Sequence, residues 1–301
     1  MGEWKNKKIL VTGAIDQQGG AAVPHLLAYG HRVRVLTNDP EKAKSMRDPN
    51  VQGIQDPDLQ VIHGDSGKRE DLDKNLDGVD GVFLLSRSGD GPKKEVAHGI
   101  TMIDACAEKK ISQVVYSSVC CANRKTGVPH LDGKHEIEEH LKKSGLSYTI
   151  LRPVWFMEHF SSPWYRPSIE KGVLSTPLRP DRPLQMVSID DIGRIVAEVF
   201  TKPTKFAERE IDIAGDQLTM QEIVADISRV LAHPVRYEQI PEDSTEEAVG
   251  HDWAPMFRWL NEHGYDADLW LVRKQFERFQ ISLTPFRDFL ERSRLGMKKA
   301  A

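Results

Sequence analysis

Val11-Thr12-Gly13-Ala14-Ile15-Asp16-Gln17-Gln18-Gly19-Gly20 decides how this chain is read. A β-branched run, Lys8 to Thr12, leads into it, and an amphipathic stretch of helix length, roughly Gly19 to Ala28, leads out. A glycine turn between a strand and a helix N-terminus offers unpaired backbone amides and the positive end of a dipole, which suits a pyrophosphate. Gly13, Ala14, Gln18 and Gly19 are therefore the first cofactor-binding candidates. Three glycines at three-residue spacing would complete the pattern, but Asp16 holds the middle place and puts a carboxylate where backbone should meet phosphate. Two readings of Asp16 stand. It weakens phosphate binding, or it turns to solvent or caps the helix, and a cap would compete for the same amides. Pro24, beyond the first turn, removes one helical hydrogen bond and is a candidate kink.

Outward from this loop, short apolar runs alternate with helix-length stretches. Arg32 to Leu36, Gln60 to Ile62, Gly81 to Leu85, Gln113 to Tyr116 and Ser147 to Leu151 read as strands. Helices are expected over Pro40 to Met46, Glu70 to Asn75, Lys93 to Lys109 and Asp132 to Lys143, the last stopped by Ser144-Gly145. Such alternation builds an α/β fold: a Rossmann-type doubly wound parallel sheet, here with a smaller C-terminal substrate lobe. Residues 1–152 are assigned to the dinucleotide-binding domain, and residues 153–301 to the smaller lobe, packed on the same sheet and partly interleaved with it. The Trp-, Pro- and Arg-rich stretch from Ser162 to Pro183 reads as loop and cleft wall. In the lobe, helices are expected over Ile189 to Phe200, Thr219 to Leu231 and Ala254 to Asn261, the second opened by a capping box of Thr219 and Glu222.

Composition narrows the function classes. The 301 residues are 39% hydrophobic and 29% charged, with a formal net charge of −4 and no long basic block, so nothing calls for direct nucleic-acid or membrane binding. The expected partner is a small-molecule substrate in the cleft between the lobes. Three cysteines, Cys106, Cys120 and Cys121, fit a reducing compartment, and the first residues open into a strand without an apolar signal segment; the expected location is cytoplasmic. The adjacent Cys120-Cys121 pair reads as packing rather than as a redox switch. No histidine or cysteine spacing matches a metal site.

The second strand ends Leu36-Thr37-Asn38-Asp39-Pro40-Glu41-Lys42, where dinucleotide folds distinguish a ribose hydroxyl from its 2′-phosphate. No acid stands immediately at the tip. Thr37, Asn38 and Lys42 can meet a phosphate, so NADP(H) is favoured over NAD(H), although Asn38-Asp39-Pro40 reads equally well as a simple turn.

From Gly64-Asp65 onward the chain resembles the NmrA-like family, an atypical branch of the short-chain dehydrogenase/reductase superfamily. The resemblance rests on Gly78-Val79-Asp80-Gly81-Val82-Phe83, Val115-Tyr116-Ser117-Ser118-Val119, Pro129-His130-Leu131-Asp132-Gly133-Lys134, Leu151-Arg152-Pro153-Val154-Trp155-Phe156-Met157-Glu158 and Val187-Ser188-Ile189-Asp190-Asp191-Ile192-Gly193. It implies a Rossmann NADP(H) fold, and it adds Asp65, Ser86, Ser117, Lys134, Pro153 and Phe156 as cofactor-binding candidates. Members resembling this chain include reductases of quinones and dyes, and regulators that bind the dinucleotide and report its redox state through a protein partner. The chain departs from its relatives at Asp16, at Asn38 where they carry Arg, and at His159 where they carry Asn, and all three positions touch the cofactor.

Short-chain dehydrogenases use a Ser, a Tyr and a Lys four residues after the Tyr; Ser118, His130 and Lys134 stand at comparable places and are the catalytic candidates. With histidine in place of tyrosine, the nearby ammonium would keep the ring neutral and able to relay a proton. Lys134 is expected to hydrogen-bond the nicotinamide ribose. Against these roles, His130 reads as a loop residue at a helix entry and Lys134 as one of many solvated helix charges. The expected function is reduction of a small quinone-like or aromatic acceptor by NADP(H); the alternative is a non-catalytic redox sensor or transcriptional regulator.

Overall fold

The computed structural model describes residues 4–39, 57–86, 91–293 and 295. The expected helix over Pro40 to Met46, and with it Lys42, lies outside the described residues. Chain contacts divide the molecule into two compact units, the first made of residues 1–123, 129–152 and 189–211, the second of 124–128, 153–188 and 212–301.

The first unit is built on β1 (Lys8–Thr12), β2 (Arg32–Thr37), β3 (Leu59–His63), β4 (Gly81–Leu85), β5 (Gln113–Ser117) and β6 (Tyr148–Pro153), with β10 (Arg209–Ile213) at the edge. The sheet runs β10-β6-β5-β4-β1-β2-β3, and the pairings from β3 through β6 are all parallel. β4 and β5 are buried at every residue, as strands covered on both faces must be. Strand order reverses between β1 and β4, so the ligand crevice of such a sheet belongs at the carboxyl ends of those two strands.

Helices α1 (Gln17–Ala28), α2 (Arg69–Asn75), α3 (Pro92–Glu108), α4 (Pro129–Lys143) and α5 (Ile189–Thr201) cover this sheet. On one side Leu10, Val82, Val114 and Ile150 form a core with Leu72, Met102, Ile103, Ile137 and Leu141. Gly99 lets α3 approach α4, since a Cβ there would stand 2.7 Å from Ile137 Cδ1. On the other, Gly193 of α5 meets α1 so closely that a Cβ would lie 2.6 Å from the Ala21 carbonyl oxygen. Helix α5, expected in the C-terminal lobe, thus belongs to the sheet's own unit, because a glycine at the crossing lets it lie directly on α1. Pro24 sits on the exposed side of α1, and the helix continues through it to Ala28.

The second unit has short strands: β7 (Trp155–Phe156) pairs parallel with β9 (Leu184–Val187), β9 antiparallel with β11 (Asp216–Leu218), and β8 (Val173–Thr176) parallel with β12 (Arg236–Gln239). Its longer helices are α6 (Met220–Leu231), α7 (Ala254–Glu262), α8 (Leu269–Glu277) and α9 (Phe286–Arg292). The capping box forms as expected: Glu222 N–H donates to Thr219 Oγ1 at 3.3 Å and Thr219 N–H to Glu222 Oε2 at 2.8 Å. No helix among the described residues is long and apolar enough to cross a membrane.

Candidate functional site

The turn after β1 adopts the conformation its glycines allow. Gly13 has φ +57°, and its carbonyl accepts the Asp16 N–H at 2.8 Å. Gly19 is compulsory, because a Cβ there would lie 2.4 Å from the Gly13 carbonyl oxygen and 2.6 Å from Ala14 Cα. Asp16 occupies the N-cap position of α1, exposed, with no capping hydrogen bond from its side chain. Within the second reading, Asp16 turns to solvent rather than capping the helix, so the first amides of α1 are not spent on this carboxylate.

The turn is tied to its neighbours at the carboxyl ends of the central strands. Leu85 N–H donates to Thr12 Oγ1 at 2.7 Å, joining the end of β4 to that of β1, and Ser117 Oγ donates to Gln18 Oε1 at 2.6 Å, joining β5 to α1. Two residues named separately from the sequence, Gln18 and Ser117, therefore form one pair.

Toward β2 and β3 a groove of about 530 Å³ opens, lined among others by Gly13, Asp16, Thr37, Asn38, Asp65 and His98. Its polar groups are partly committed. The Thr37 hydroxyl accepts Asp39 N–H at 3.0 Å, which makes the end of β2 the turn that its sequence also allowed. Asp65 accepts Gly67 N–H on Oδ1 at 2.9 Å, leaving its other oxygen outside that turn. Asn38 is exposed at the rim. His98, on α3, was not named from the sequence; its ring lies over Gly67, where a Cβ would come within 2.5 Å of Nε2. Only the two chain segments folded together reveal that fit.

Toward α3 and α4 the catalytic candidates meet a residue that sequence reasoning missed. Glu95, in the first turn of α3, is 1% exposed. Its Oε1 accepts from Ser86 Oγ at 2.7 Å and lies 2.8 Å from Lys134 Nζ, and its Oε2 lies 3.3 Å from His130 Nδ1. Lys134 also donates to Ser86 Oγ at 3.0 Å and sits 5.8 Å from the centre of the Tyr116 ring. The Tyr116 hydroxyl, 3.2 Å from Ser86 Oγ, is kept protonated far up the pH scale by complete burial. Burial alone would raise the Glu95 carboxyl too, but the hydrogen bond from His130 together with the charge and hydrogen bond of Lys134 outweighs it and holds the pKa at about 2.

His130 is thus not a loop residue. Pro129 opens α4, whose first turn carries His130, with Lys134 one turn on along the same face. The group in contact with His130 Nδ1 is the Glu95 carboxylate. Lys134, 10% exposed at its side chain, is no solvated surface charge. Ser118 behaves differently: it is buried, its N–H donates to Leu151 O at 2.8 Å, and its Oγ has no hydrogen-bond partner among the described residues. The structure therefore gathers His130 and Lys134 with Ser86 rather than with Ser118.

The remaining candidates fall elsewhere. Pro153 ends β6 and opens the second unit, where Phe156 packs 5.4 Å from the His159 ring. Burial alone lowers His159 to about 4, and Trp155 meets it edge-on at 4.8 Å. Arg152, beside Pro153, is structural: buried, it donates from Nε and Nη2 to both oxygens of Glu138 at 2.8 and 2.6 Å, fixing β6 to α4. Cys120 and Cys121 are buried with sulfurs 3.5 Å apart, and burial pushes the Cys106 thiol up to about 12.

The profile of the NmrA-like family matches residues 5–290. The chain belongs to that family. An NmrA-like family domain-containing protein of Dictyostelium discoideum is 29% identical over 278 residues, covering 86% of this chain and 89% of its own length. A (4-alkanoyl-5-oxo-2,5-dihydrofuran-3-yl)methyl phosphate reductase of Streptomyces griseus is 28% identical over 249 residues, 82% of each chain. Among solved structures, the NADPH-dependent quinone oxidoreductase of Escherichia coli, complexed with NADPH, superposes with a TM-score of 0.77 at 20% identity, covering 94% of this chain and 98% of its own. That last likeness establishes the Rossmann-type fold of this NmrA-like chain.

Proposed function

We propose that this NmrA-like chain binds NADP(H) along the carboxyl ends of β2, β1, β4 and β5 and transfers hydride to a small quinone-like or aromatic acceptor. The observation that carries this reading is the cluster of buried Lys134 and Glu95 with half-buried Ser86 and His130, in the same unit as a phosphate-type turn. Gly13 to Gly19 would hold the phosphates of a dinucleotide laid along that edge, Thr37, Asn38 and Asp65 its adenosine half, and Lys134 its nicotinamide ribose. Thr37 and Asn38, neutral hydrogen-bonders at the end of β2, are the groups that would meet a 2′-phosphate, and they are the ground for preferring NADP(H). The bound dinucleotide would supply the hydride. Lys134 holds the ribose, and His130 is placed to supply the proton that a reduced acceptor takes up. The reductase names of the Streptomyces and Escherichia proteins agree with this class of chemistry.

The experiment is NADPH oxidation followed by absorbance with a panel of quinones, azo and triphenylmethane dyes and enones. Turnover with at least one acceptor, reduced about 10²-fold or more in Lys134→Met, is the expected result. Bound NADPH with no turnover on any acceptor would overturn the enzyme reading. It would favour a dinucleotide-responsive protein acting through a partner, a reading supported by histidine standing where short-chain dehydrogenases carry tyrosine.

A further inference from the structure

Burying an ionised carboxylate without partners costs several kcal/mol, so a fully enclosed glutamate must be accounted for by what donates to it. Around Glu95 the donors divide between its two oxygens. Ser86 Oγ and Lys134 Nζ both approach Oε1, at 2.7 and 2.8 Å, whereas His130 Nδ1 approaches Oε2, at 3.3 Å. An ammonium has three protons. Oε1 takes one from Lys134 and Ser86 Oγ another, at 3.0 Å, which leaves one proton for a ligand. On the other oxygen, a carboxylate facing Nδ1 can only accept, so the ring must carry its proton there and turn the lone pair of its neutral form to Nε2.

Resting on the reductase reading of this unit, we propose that Glu95 is the positioning residue of its site, holding His130 as the Nδ1–H tautomer through Oε2 and aiming the one spare Lys134 proton through Oε1. In the reductive step a bound NADPH would supply the hydride and both its electrons to the acceptor, becoming NADP. The imidazolium Nε2–H bond breaks as its proton passes to the reduced acceptor, leaving neutral, Nδ1-protonated His130, and solvent restores the second proton. Quinone, hydride and proton together make the hydroquinone. Glu95 touches neither substrate nor cofactor, so its effect runs entirely through His130 and Lys134.

Glu95→Gln gives a test that a merely structural carboxylate would not pass. Lys134 and Ser86 both donate to Oε1, so the amide oxygen must take that place and the amide NH₂ must face His130. A donor opposite Nδ1 forces the ring into the Nε2–H tautomer. The full-length chain labelled with nitrogen-15 histidine is recorded by two-bond proton–nitrogen correlation at alkaline pH, with His130→Asn assigning the signal. The expected result is Nδ1–H in the unmodified protein, Nε2–H in Glu95→Gln, return to Nδ1–H in Glu95→Asp, and a kcat for quinone reduction about 10²-fold lower in Glu95→Gln. An Nε2–H ring in the unmodified protein, or a tautomer indifferent to Glu95→Gln, overturns the proposal. Should Glu95→Gln fail to fold, the unmodified spectrum decides by itself, because a ring without a carboxylate at Nδ1 prefers Nε2–H. Failure of the reductase reading is separate: it appears as absent turnover in the unmodified chain, whatever the tautomer.

Discussion

Asp16 is the residue on which the proposed nucleotide affinity turns. Its exposed carboxylate stands at the head of α1 without a hydrogen bond to the helix, so it subtracts from the positive potential there while leaving the amides available. Asp16→Asn keeps the shape and removes the charge; NADPH is expected to bind about tenfold tighter, equivalent to ~1.4 kcal/mol, with the gain shrinking as salt is raised. An unchanged dissociation constant would place this carboxylate clear of the phosphates. Gly19 carries a different burden. A methyl group there would meet backbone at 2.4 Å, with nothing flexible to yield, so Gly19→Ala should lower stability by about 1–3 kcal/mol and loosen the phosphate turn. Thermal melting with and without NADPH would read both effects.

At the scale of elements, the two faces of the sheet allow a graded comparison. A methyl group on Gly99 meets the terminal carbon of Ile137, which can swing aside, whereas one on Gly193 meets the Ala21 backbone. Gly193→Ala should therefore cost more than Gly99→Ala in a denaturant titration, and the reverse order would mean that α5 sits more loosely on α1 than these distances say. What was legible in the sequence follows the same division. The β1 turn announced itself because only glycine takes that path between strand and helix, and β4 and β5 did so through the short apolar runs Val82 to Leu85 and Val114 to Tyr116. Glu95 did not. In Lys93-Lys94-Glu95-Val96 it looks like one more charge on a solvated helix face, and its meaning comes from Ser86, just after β4, and from His130 and Lys134 on α4, which no local pattern links to it. Ser118 is the complementary case: its neighbours in sequence fit a motif, while its hydroxyl is buried with no hydrogen-bond partner among the described residues. The strands of the second unit, two to four residues long, carry too few side chains to display a period, and α8 and α9 passed unnoticed among charged residues.

Over the whole molecule, buried titratable groups set how stability responds to acid. His159 is held neutral by burial, with its pKa lowered from 6.5 to about 4, so its contribution is complete above pH 6.5 and is lost as pH falls toward 4. His31, also lowered by burial, acts in the same direction. Glu95, lowered from 4.5 to about 2, holds its contribution above pH 4.5 and loses it from there toward pH 2. Unfolding midpoints should thus decline in two stages on acidification, and His159→Asn should flatten the upper one; a slope unaltered by that substitution would show that His159 protonates without opening its surroundings.

One edge of the sheet unit, from Asn38 through Gly13 to Lys134, is the proposed dinucleotide site. Calorimetric titration of the unmodified chain with NADPH, NADP, NADH and NAD, alongside Lys134→Met and Asp16→Asn, tests it most directly. The expected result is one NADPH per chain, bound more tightly than NADH, weakened about tenfold by Lys134→Met and strengthened by Asp16→Asn. No heat from any of the four nucleotides, in the unmodified chain and in Asp16→Asn alike, would contradict it.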